Sequence, residues 1–529
     1  MRRVSNSGSI EEDTLISQNS GQKVLFIKDT RLVRILLVAA LLLAGFAIRL
    51  LDLTDPPLDF AATRQLHSLI LSRGYYYQLD VPSVQALPES QRQFGIDAAA
   101  QELLYEPTIL EHLTASLYAL VGKETFVIPR ILISLFWVIG GIPLFLLMRR
   151  FSTTNGALFA VAFYEFLPFG VLASRSFQPD PVMVTSVLFA LHFQLCWLQE
   201  HSLKNALLAG IFTGLSVILK IPAVFFAGVP FVGIVLTDGI KKALRNWQVY
   251  LMAAISLLPA ILYYKFNSVV GNYSTTLFAT RFFPELFIQP KWYQSWFMMA
   301  KSVLDYIPLF LAILAFFLIK QKEIKVIYGC LWIGYLLQGF VFAYHISSHN
   351  YYQLPIIIMA AMGCGIFFAF LMEKIASFDP KFLSRIIIVG VFLFGAALTM
   401  LKSWTDLRSA DYHYEETYWK NLGDTIGQES SVVALTHDYG FRLEYWGGII
   451  PKLWNTQGDF TVESLGNGQE QPFESMIEEA IAGRDYFLVT LINDFESQEN
   501  LHDFLFTHYP YTQGEGYYLF DLKHPLSTE

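Results

Sequence analysis

Cysteine and charge are the two things this sequence has least of. Three cysteines occur in 529 residues, Cys196, Cys330 and Cys364. All lie inside apolar runs, where a free thiol behaves as a small hydrophobe, and no disulfide framework or metal-ligand spacing is present. Charged residues make up 16% of the chain against 54% hydrophobic, with a mean hydropathy of +0.41. A soluble reading of that composition needs a core too large to cover, so the chain is an integral membrane protein. No Gly-rich loop is present to cradle a nucleotide phosphate, and internal repeats and low-complexity segments are absent.

The little charge there is falls unevenly. From Ser403 onward there are 22 acidic and 6 basic residues, leaving 31 basic and 23 acidic before it. The membrane part is thus net +8 and the tail net -16, which marks residues 403–529 as a separate acidic soluble domain and argues against nucleic acid as a partner. Strand-like runs at Ser431–Thr436, Tyr486–Leu491 and Gly516–Asp521 alternate with helical patterns at Tyr418–Gly427 and Glu474–Ala482. They predict a small α/β fold without a catalytic signature.

Ahead of the first apolar run, residues 1–34 are polar and carry Arg2, Arg3, Lys23, Lys28, Arg31 and Arg34, which predicts a cytoplasmic amino-terminal tail. Ile35–Leu51 is then just long enough to cross a bilayer and longer than the apolar part of a cleavable signal. A hydrophilic segment, 52–125, follows with patches of helical periodicity, and predicts one or two amphipathic helices along the membrane surface. Ten further apolar runs bring the expected total to about eleven spans. Alternation from a cytoplasmic start puts every Lys/Arg cluster inside, namely Arg149-Arg150, Lys204, Lys241 to Arg245, Lys320 to Lys325 and Lys374 to Arg385. The opposite face receives 52–125, Ser174–Asp180, Gly271–Asp305, His345–Gln353 and the tail. The chain is therefore expected to be mostly α, a multi-pass inner-membrane protein with its carboxy-terminal domain outside.

Three stretches put polar chemistry at the outer membrane edge. In Leu51-Asp-Leu-Thr-Asp-Pro-Pro-Leu-Asp59, Pro56-Pro57 stops the first helix from running on through Asp52, Asp55 and Asp59. Asp52 and Asp55 read as solvated helix-end acids, whereas Asp59 opens a new helix that it either caps or serves as a site residue. The second stretch is Ser174-Arg-Ser-Phe-Gln-Pro-Asp180 and the third His345-Ile-Ser-Ser-His-Asn-Tyr-Tyr-Gln353. The spacing of His345 and His349 fits one helix face, but two histidines with no third ligand do not make a zinc site, and no metal ligand is assigned. Lys220, in a Lys-Ile-Pro break between two short spans, is an ammonium at membrane depth and so a functional candidate. Basic and aromatic residues interleave in 271–305 as an interfacial belt does.

Asp59-Phe-Ala-Ala-Thr-Arg-Gln-Leu-His-Ser-Leu-Ile-Leu-Ser-Arg-Gly74-Tyr resembles the opening of the first external loop in the GT-C polyprenyl-phosphate-sugar glycosyltransferases, the group of bacterial aminoarabinose transferases and protein O-mannosyltransferases. Phe60 stands where a second acid is common. Tyr105-Glu-Pro-Thr and Ile128-Pro-Arg-Ile are similar to that family's later loop segments, with Glu106 at roughly the place of a Lys or His and Arg130 reading as a helix-end anchor. Ser174 to Asp180 is similar to its Ser-Arg segment ending in Gln-x-Asp, and Asn350-Tyr-Tyr-Gln-Leu-Pro355 to its Tyr-Tyr-x-Leu-Pro entry into a late span. The resemblance covers most of 35–402 and says nothing of the tail.

It implies a GT-C-like transmembrane domain that transfers a sugar from a polyprenyl-phosphate donor to an extracytoplasmic glycolipid, glycan or protein acceptor, with inversion. Asp59 is then the general base and Asp180, facing the same pocket, orients the acceptor. Arg175, Lys220, His345, His349, Tyr351 and Glu106 are the candidates to meet substrate or phosphate, each histidine as hydrogen-bond donor or as cation. No cofactor is required by the sequence, and a divalent metal is left open. The rival from another class is a lipid-linked sugar transporter or flippase, with Asp59, Asp180 and Lys220 along a pathway. The long outer loop and outer soluble domain are unusual for a carrier, and no inverted symmetry is evident.

Overall fold

The computed structural model describes residues 29–271, 281–378, 382–465 and 471–526, so nearly all of the polar amino-terminal tail lies outside the described residues. The first helix, Arg31–Arg49, starts where the Thr30 hydroxyl accepts the Val33 N–H, as a capping Thr does. It stops ahead of the proline pair. At its end Arg49 is fully buried, 3.2 Å from Glu165 and donating to the Ser174 hydroxyl at 2.6 Å. A charge at that depth is tolerated because it is paired.

Close helix packing explains several small residues. A Cβ at Gly45 would stand 2.7 Å from a Glu165 carboxylate oxygen, and Gly156 and Gly365 let the helices Thr154–Phe166 and Ile356–Phe378 approach backbone to backbone. Gly45→Ala is expected to cost about 1–3 kcal/mol by overpacking against the buried ion pair. A lowered unfolding midpoint of the detergent-solubilised protein checks this.

Among the described residues, six helices are long and apolar enough to cross a membrane, or seven if Pro290–Leu304 and Tyr306–Leu318, bent by 99° at Asp305, form one span. The expected eleven is not confirmed. Part of the difference lies in elements that sequence hydropathy counts whole and the fold keeps short: Leu203–Leu219 and Val224–Asp238 fall below spanning length on either side of Lys220-Ile-Pro222, and the apolar run 155–173 is divided into Thr154–Phe166 and Pro168–Ala173.

The outer segment 52–125 does form helices, at Ala62–Tyr77, Glu89–Gln101 and Ile109–Val121. The first of them is no surface helix. Leu66, Leu69, Ile70 and Leu71 are buried in the protein, and so are Gln65, Ser68 and Ser72 on its other faces.

The carboxy-terminal sheet has the order β2-β1-β3-β5-β4, with β1 Val432–Leu435, β2 Lys452–Leu453, β3 Tyr486–Val489, β4 Tyr511–Gly514 and β5 Tyr517–Asp521. β1 pairs parallel with β2 and β3, and β5 antiparallel with β3 and β4. Both faces of β1 are covered, Val433 and Leu435 by one apolar cluster with Leu501 and Leu505, Val432 and Ala434 by another with Trp419 and Leu422. Such double burial is why β1 reads as a continuous apolar run.

Candidate active site

The three polar stretches converge. Gln65 ties the first two together, donating to the carbonyls of Pro57 and Phe60 and accepting the Phe177 N–H at 2.9 Å. Lys220 ties the second to the third: its ammonium lies 2.5 Å from the Asp180 carboxylate and over the rings of Tyr351 and Tyr352, at 5.1 and 5.5 Å. Desolvation strengthens both contacts.

Asp59 does not cap the helix it precedes. The capping position is Ala61, in the left-handed region at φ 47°, with no side-chain cap bond. Non-glycine residues rarely adopt that conformation, and it turns the chain sharply from the loop into the helix. Asp59 is instead bridged through Oδ1 to the buried Arg130 at 2.8 Å, and Arg130 also donates to the Asp55 carbonyl. Its Oδ2 has no partner among the described residues, and the side chain is 18% exposed. Arg175 joins this group by donating to the Asp52 carbonyl at 2.8 Å. Burial and the neighbouring Arg130 draw the Arg175 guanidinium down to about 10.

Asp180 sits in the first turn of the helix Pro179–Glu200 without capping it. Asp59 and Asp180 thus enter different ion pairs, each with its own cation.

The pocket itself is a cavity of about 630 Å³ that gathers Glu106, Lys220, His345, His349 and Tyr351 of the sequence candidates. Asp59, Asp180 and Arg175 are not among its lining residues. Ala61 and Thr63, just beyond Asp59, are, and so is Lys220, the partner of Asp180. Two further cations line the cavity: Arg64, which has no role in the sequence reading, and Arg281, which that reading places in the interfacial belt of 271–305. Arg64 pairs with Glu106 at 2.6 Å, so the positive charge that the resemblance expects near 106 arrives one helix away. Arg281 hydrogen-bonds the Tyr352 hydroxyl. Burial alone would raise the Glu106 carboxyl, but Arg64 and then Lys220 bring it below the usual carboxylate range.

The histidines can be assigned a state. Burial, followed by the charge of Arg281, lowers His345 to about 2, and burial with Arg281 and Lys220 lowers His349 to about 4. Both are therefore neutral at pH 7 and act through N–H or lone pair, not as cations. Because the folded protein binds these protons more weakly than the unfolded chain, stability is present above about 6.5 and is lost as pH falls towards 4. His349→Asn is expected to flatten that acid limb, read as melting temperature against pH between 6.5 and 4.

The tail domain closes the cavity. Tyr439, Phe441, Glu444, Ile450, Pro451 and Leu453 line it from that side. The domain is fastened by Thr63 donating to Asp438 at 2.8 Å, by the Tyr412 N–H on Asp55 at 2.7 Å and by Arg73, which donates to the Tyr445 carbonyl and lies 3.7 Å from its ring centre. Sequence reading missed this wall, since nothing local marks a contact between residues so far apart in the chain.

Residues 106–264 match the family described as dolichyl-phosphate-mannose-protein mannosyltransferase. No curated protein sequence matches the chain. Among solved structures, ArnT from Cupriavidus metallidurans bound to undecaprenyl phosphate aligns over 93% of this chain and 98% of its own, at 12% identity and a TM-score of 0.55. The oligosaccharyltransferase AglB from Archaeoglobus fulgidus, in complex with an inhibitory peptide and a dolichol-phosphate, aligns over 91% and 74% at 11% identity and a TM-score of 0.54. The Archaeoglobus fulgidus enzyme in complex with Zn and sulfate aligns over 89% and 71%, at 11% identity and 0.53. At these identities the likeness establishes the fold: a multi-pass membrane protein of the GT-C class with a small carboxy-terminal sheet.

Proposed function

We propose that this chain is a membrane glycosyltransferase that moves a sugar from a polyprenyl phosphate to an acceptor on the outer side of the bilayer, with inversion at the anomeric carbon. The observation that carries the reading is the cavity lined by Arg64, Lys220 and Arg281 together with two neutral histidines and Tyr351. Cations and N–H or O–H donors in a partly dry pocket stabilise a leaving phosphate as its negative charge grows. The fold likeness to structures holding undecaprenyl phosphate and dolichol-phosphate supports the same donor class.

In this reading Lys220 and Arg281 meet the phosphate, and His345, His349 and Tyr351 hydrogen-bond its oxygens. Glu106 holds Arg64 in place. Asp59 is the general base: Oδ1 is fixed by Arg130, while Oδ2 is open to take the proton of an acceptor arriving over Ala61 and Thr63. The acceptor oxygen or nitrogen forms its bond to the anomeric carbon as the bond to the phosphate oxygen breaks, and the electron pair leaves on the phosphate. Asp180 is a positioning residue for Lys220, and Arg175 is one for the Asp59–Arg130 pair.

A nucleotide sugar is not needed by a site on the outer face, and the topology read from Lys/Arg placement, with the amino terminus inside and the tail domain outside, supports that face. Residues 35–402 form the transfer domain and 403–529 its outer cover. Among the described residues a divalent metal finds one candidate seat, where ligand atoms of Asp55, Asp411 and His413 lie within 4.8 Å of one another. Asp55 Oδ1 there already accepts the Tyr412 N–H and faces His413 Nδ1 at 3.2 Å, while Asp411 and His413 are exposed. That set is satisfied by its own contacts, so no step is routed through a metal.

The test is transfer by the purified protein from radiolabelled polyprenyl-phosphate sugars to extracted envelope lipids, glycans and proteins. Labelled product of inverted configuration supports the reading. Counterflow of the lipid-linked sugar across liposomes with no transfer would assign a carrier instead.

A further inference from the structure

The segment that carries Asp59 turns sharply at both ends. Among the described residues six other than glycine have a positive φ, and four of them belong to this segment or to the turn of the carboxy-terminal domain that touches it: Asp52 at 52° and Ala61 at 47°, Asp438 at 50° and Tyr439 at 54°. Such conformations are costly and persist only where surrounding contacts over-determine them. Asp52 and Ala61 leave residues 53–60 as a short bridge between two turns, so Asp59 takes its place from whatever holds that bridge.

Arg130 is one holder, through the Asp59 carboxylate and the Asp55 carbonyl. Others come from the carboxy-terminal domain. Before Asp59, the Asp55 carboxylate, 5% exposed, accepts the Tyr412 N–H at 2.7 Å and faces His413 Nδ1 at 3.2 Å. Beyond Ala61, the Thr63 hydroxyl donates to Asp438 at 2.8 Å. The two anchors belong to one body. Arg442 donates to Asp438 at 2.6 Å and pairs with Glu415 at 2.9 Å, and Glu415 stands on the helix His413–Ile426, whose first residue faces Asp55. Trp419 donates its indole N–H to Glu415 at 2.6 Å and lies in the domain's own apolar core, which ties the anchors to the rest of the domain.

We propose that the carboxy-terminal domain sets the position of the general base, with Asp55 and Asp438 as positioning residues that grip the segment of Asp59 from both sides. The proposal rests on the reading of Asp59 as base, and adds that the base is aimed by a domain outside the membrane part. A single ion pair to Arg130 fixes Oδ1 of Asp59 but not the direction of Oδ2. Backbone held on either side fixes that direction. A reacting group displaced by about 1 Å costs about a hundredfold in rate, so loss of either grip falls on kcat. Donor binding is spared, because the side chains that meet the phosphate, Lys220, Arg281 and the histidine pair, stand on other elements.

Asp55→Ala and Asp438→Gly test this in the full-length protein. The first removes one carboxylate and keeps the backbone carbonyl that Arg130 uses, and the second removes the other at a position whose φ suits glycine. Each is expected to lower kcat by about ten- to a hundredfold, with KM for a labelled polyprenyl-phosphate sugar unchanged, and to speed amide hydrogen exchange in residues 52–66. Asp55→Asn, whose amide oxygen can still accept the Tyr412 N–H, should restore most of the rate. In an Asp59→Asn background the same two substitutions should change the residual rate by less than about threefold, because residues that act as one unit are not additive. An unchanged kcat, an equal loss in both backgrounds, or unchanged exchange of the segment overturns the proposal. Full rate in Asp59→Asn removes the base and the proposal with it, whereas a slow Asp59→Asn beside fully active grip variants sinks the positioning role alone. Faster exchange in the grip variants of a protein that transfers no sugar sinks the glycosyltransferase reading and leaves the domain's hold on the segment.

Discussion

Asp59→Asn is expected to lower the rate of sugar transfer by about 10²–10⁴-fold, the usual contribution of a positioned general base. Asparagine keeps the shape of the side chain and can still accept from Arg130 through its amide oxygen, so the loop that leads into Ala61 is expected to stay in place. What it loses is the second carboxylate oxygen, the atom that has no partner among the described residues. The donor phosphate is bound elsewhere, by Lys220, Arg281 and the histidine pair, so the loss should fall on kcat with little change in KM for the lipid donor. Steady-state rates against donor concentration distinguish the outcomes. A variant that keeps its kcat within a few fold removes Asp59 from catalysis and leaves it as a strut for Arg130.

The features legible in the sequence are those with a local physical signature. Composition gave the membrane class, the proline pair ended the first helix, and alternation of apolar strand with helix located β1, β3 and β5. Lys/Arg placement put three stretches on one face, and the hydrogen bonds of Gln65 and the contacts of Lys220 do bring those stretches together. The remainder was set by tertiary packing. Arg130 read as a helix-end anchor because nothing in Ile-Pro-Arg-Ile says that it reaches back 71 positions to Asp59. Arg64 was one polar residue in a helix, and only the fold brings it to Glu106. β2 has two residues and β4 is mostly polar, so neither stands out from a loop by pattern. Acidic composition suggests a soluble tail, but composition carries no information about the cavity that residues of this tail line.

Breaking the Asp180–Lys220 pair is the other large effect, and its two halves are expected to differ. Both side chains are buried, 2.5 Å apart, and removing one partner of such a pair leaves an uncompensated charge at a cost of about 3–5 kcal/mol. Lys220→Met should therefore lower stability and also weaken donor binding by about ten- to a hundredfold, since it deletes a charge-assisted contact to phosphate. Asp180→Asn leaves the ammonium in the cavity wall without its carboxylate. Stability should again fall, but donor binding should hold or tighten, because the phosphate then supplies the missing negative charge. Saturating donor is accordingly expected to raise the melting temperature of Asp180→Asn more than that of the wild type, by ordinary ligand linkage. The double variant Asp180→Asn with Lys220→Met should be more stable than the sum of the two single losses predicts, because no buried charge is left over. Thermal unfolding with and without polyprenyl phosphate reads all four proteins. If Asp180→Asn instead loses kcat with its stability and donor affinity intact, Asp180 touches the reacting atoms and the assignment of Asp59 as sole base falls with it.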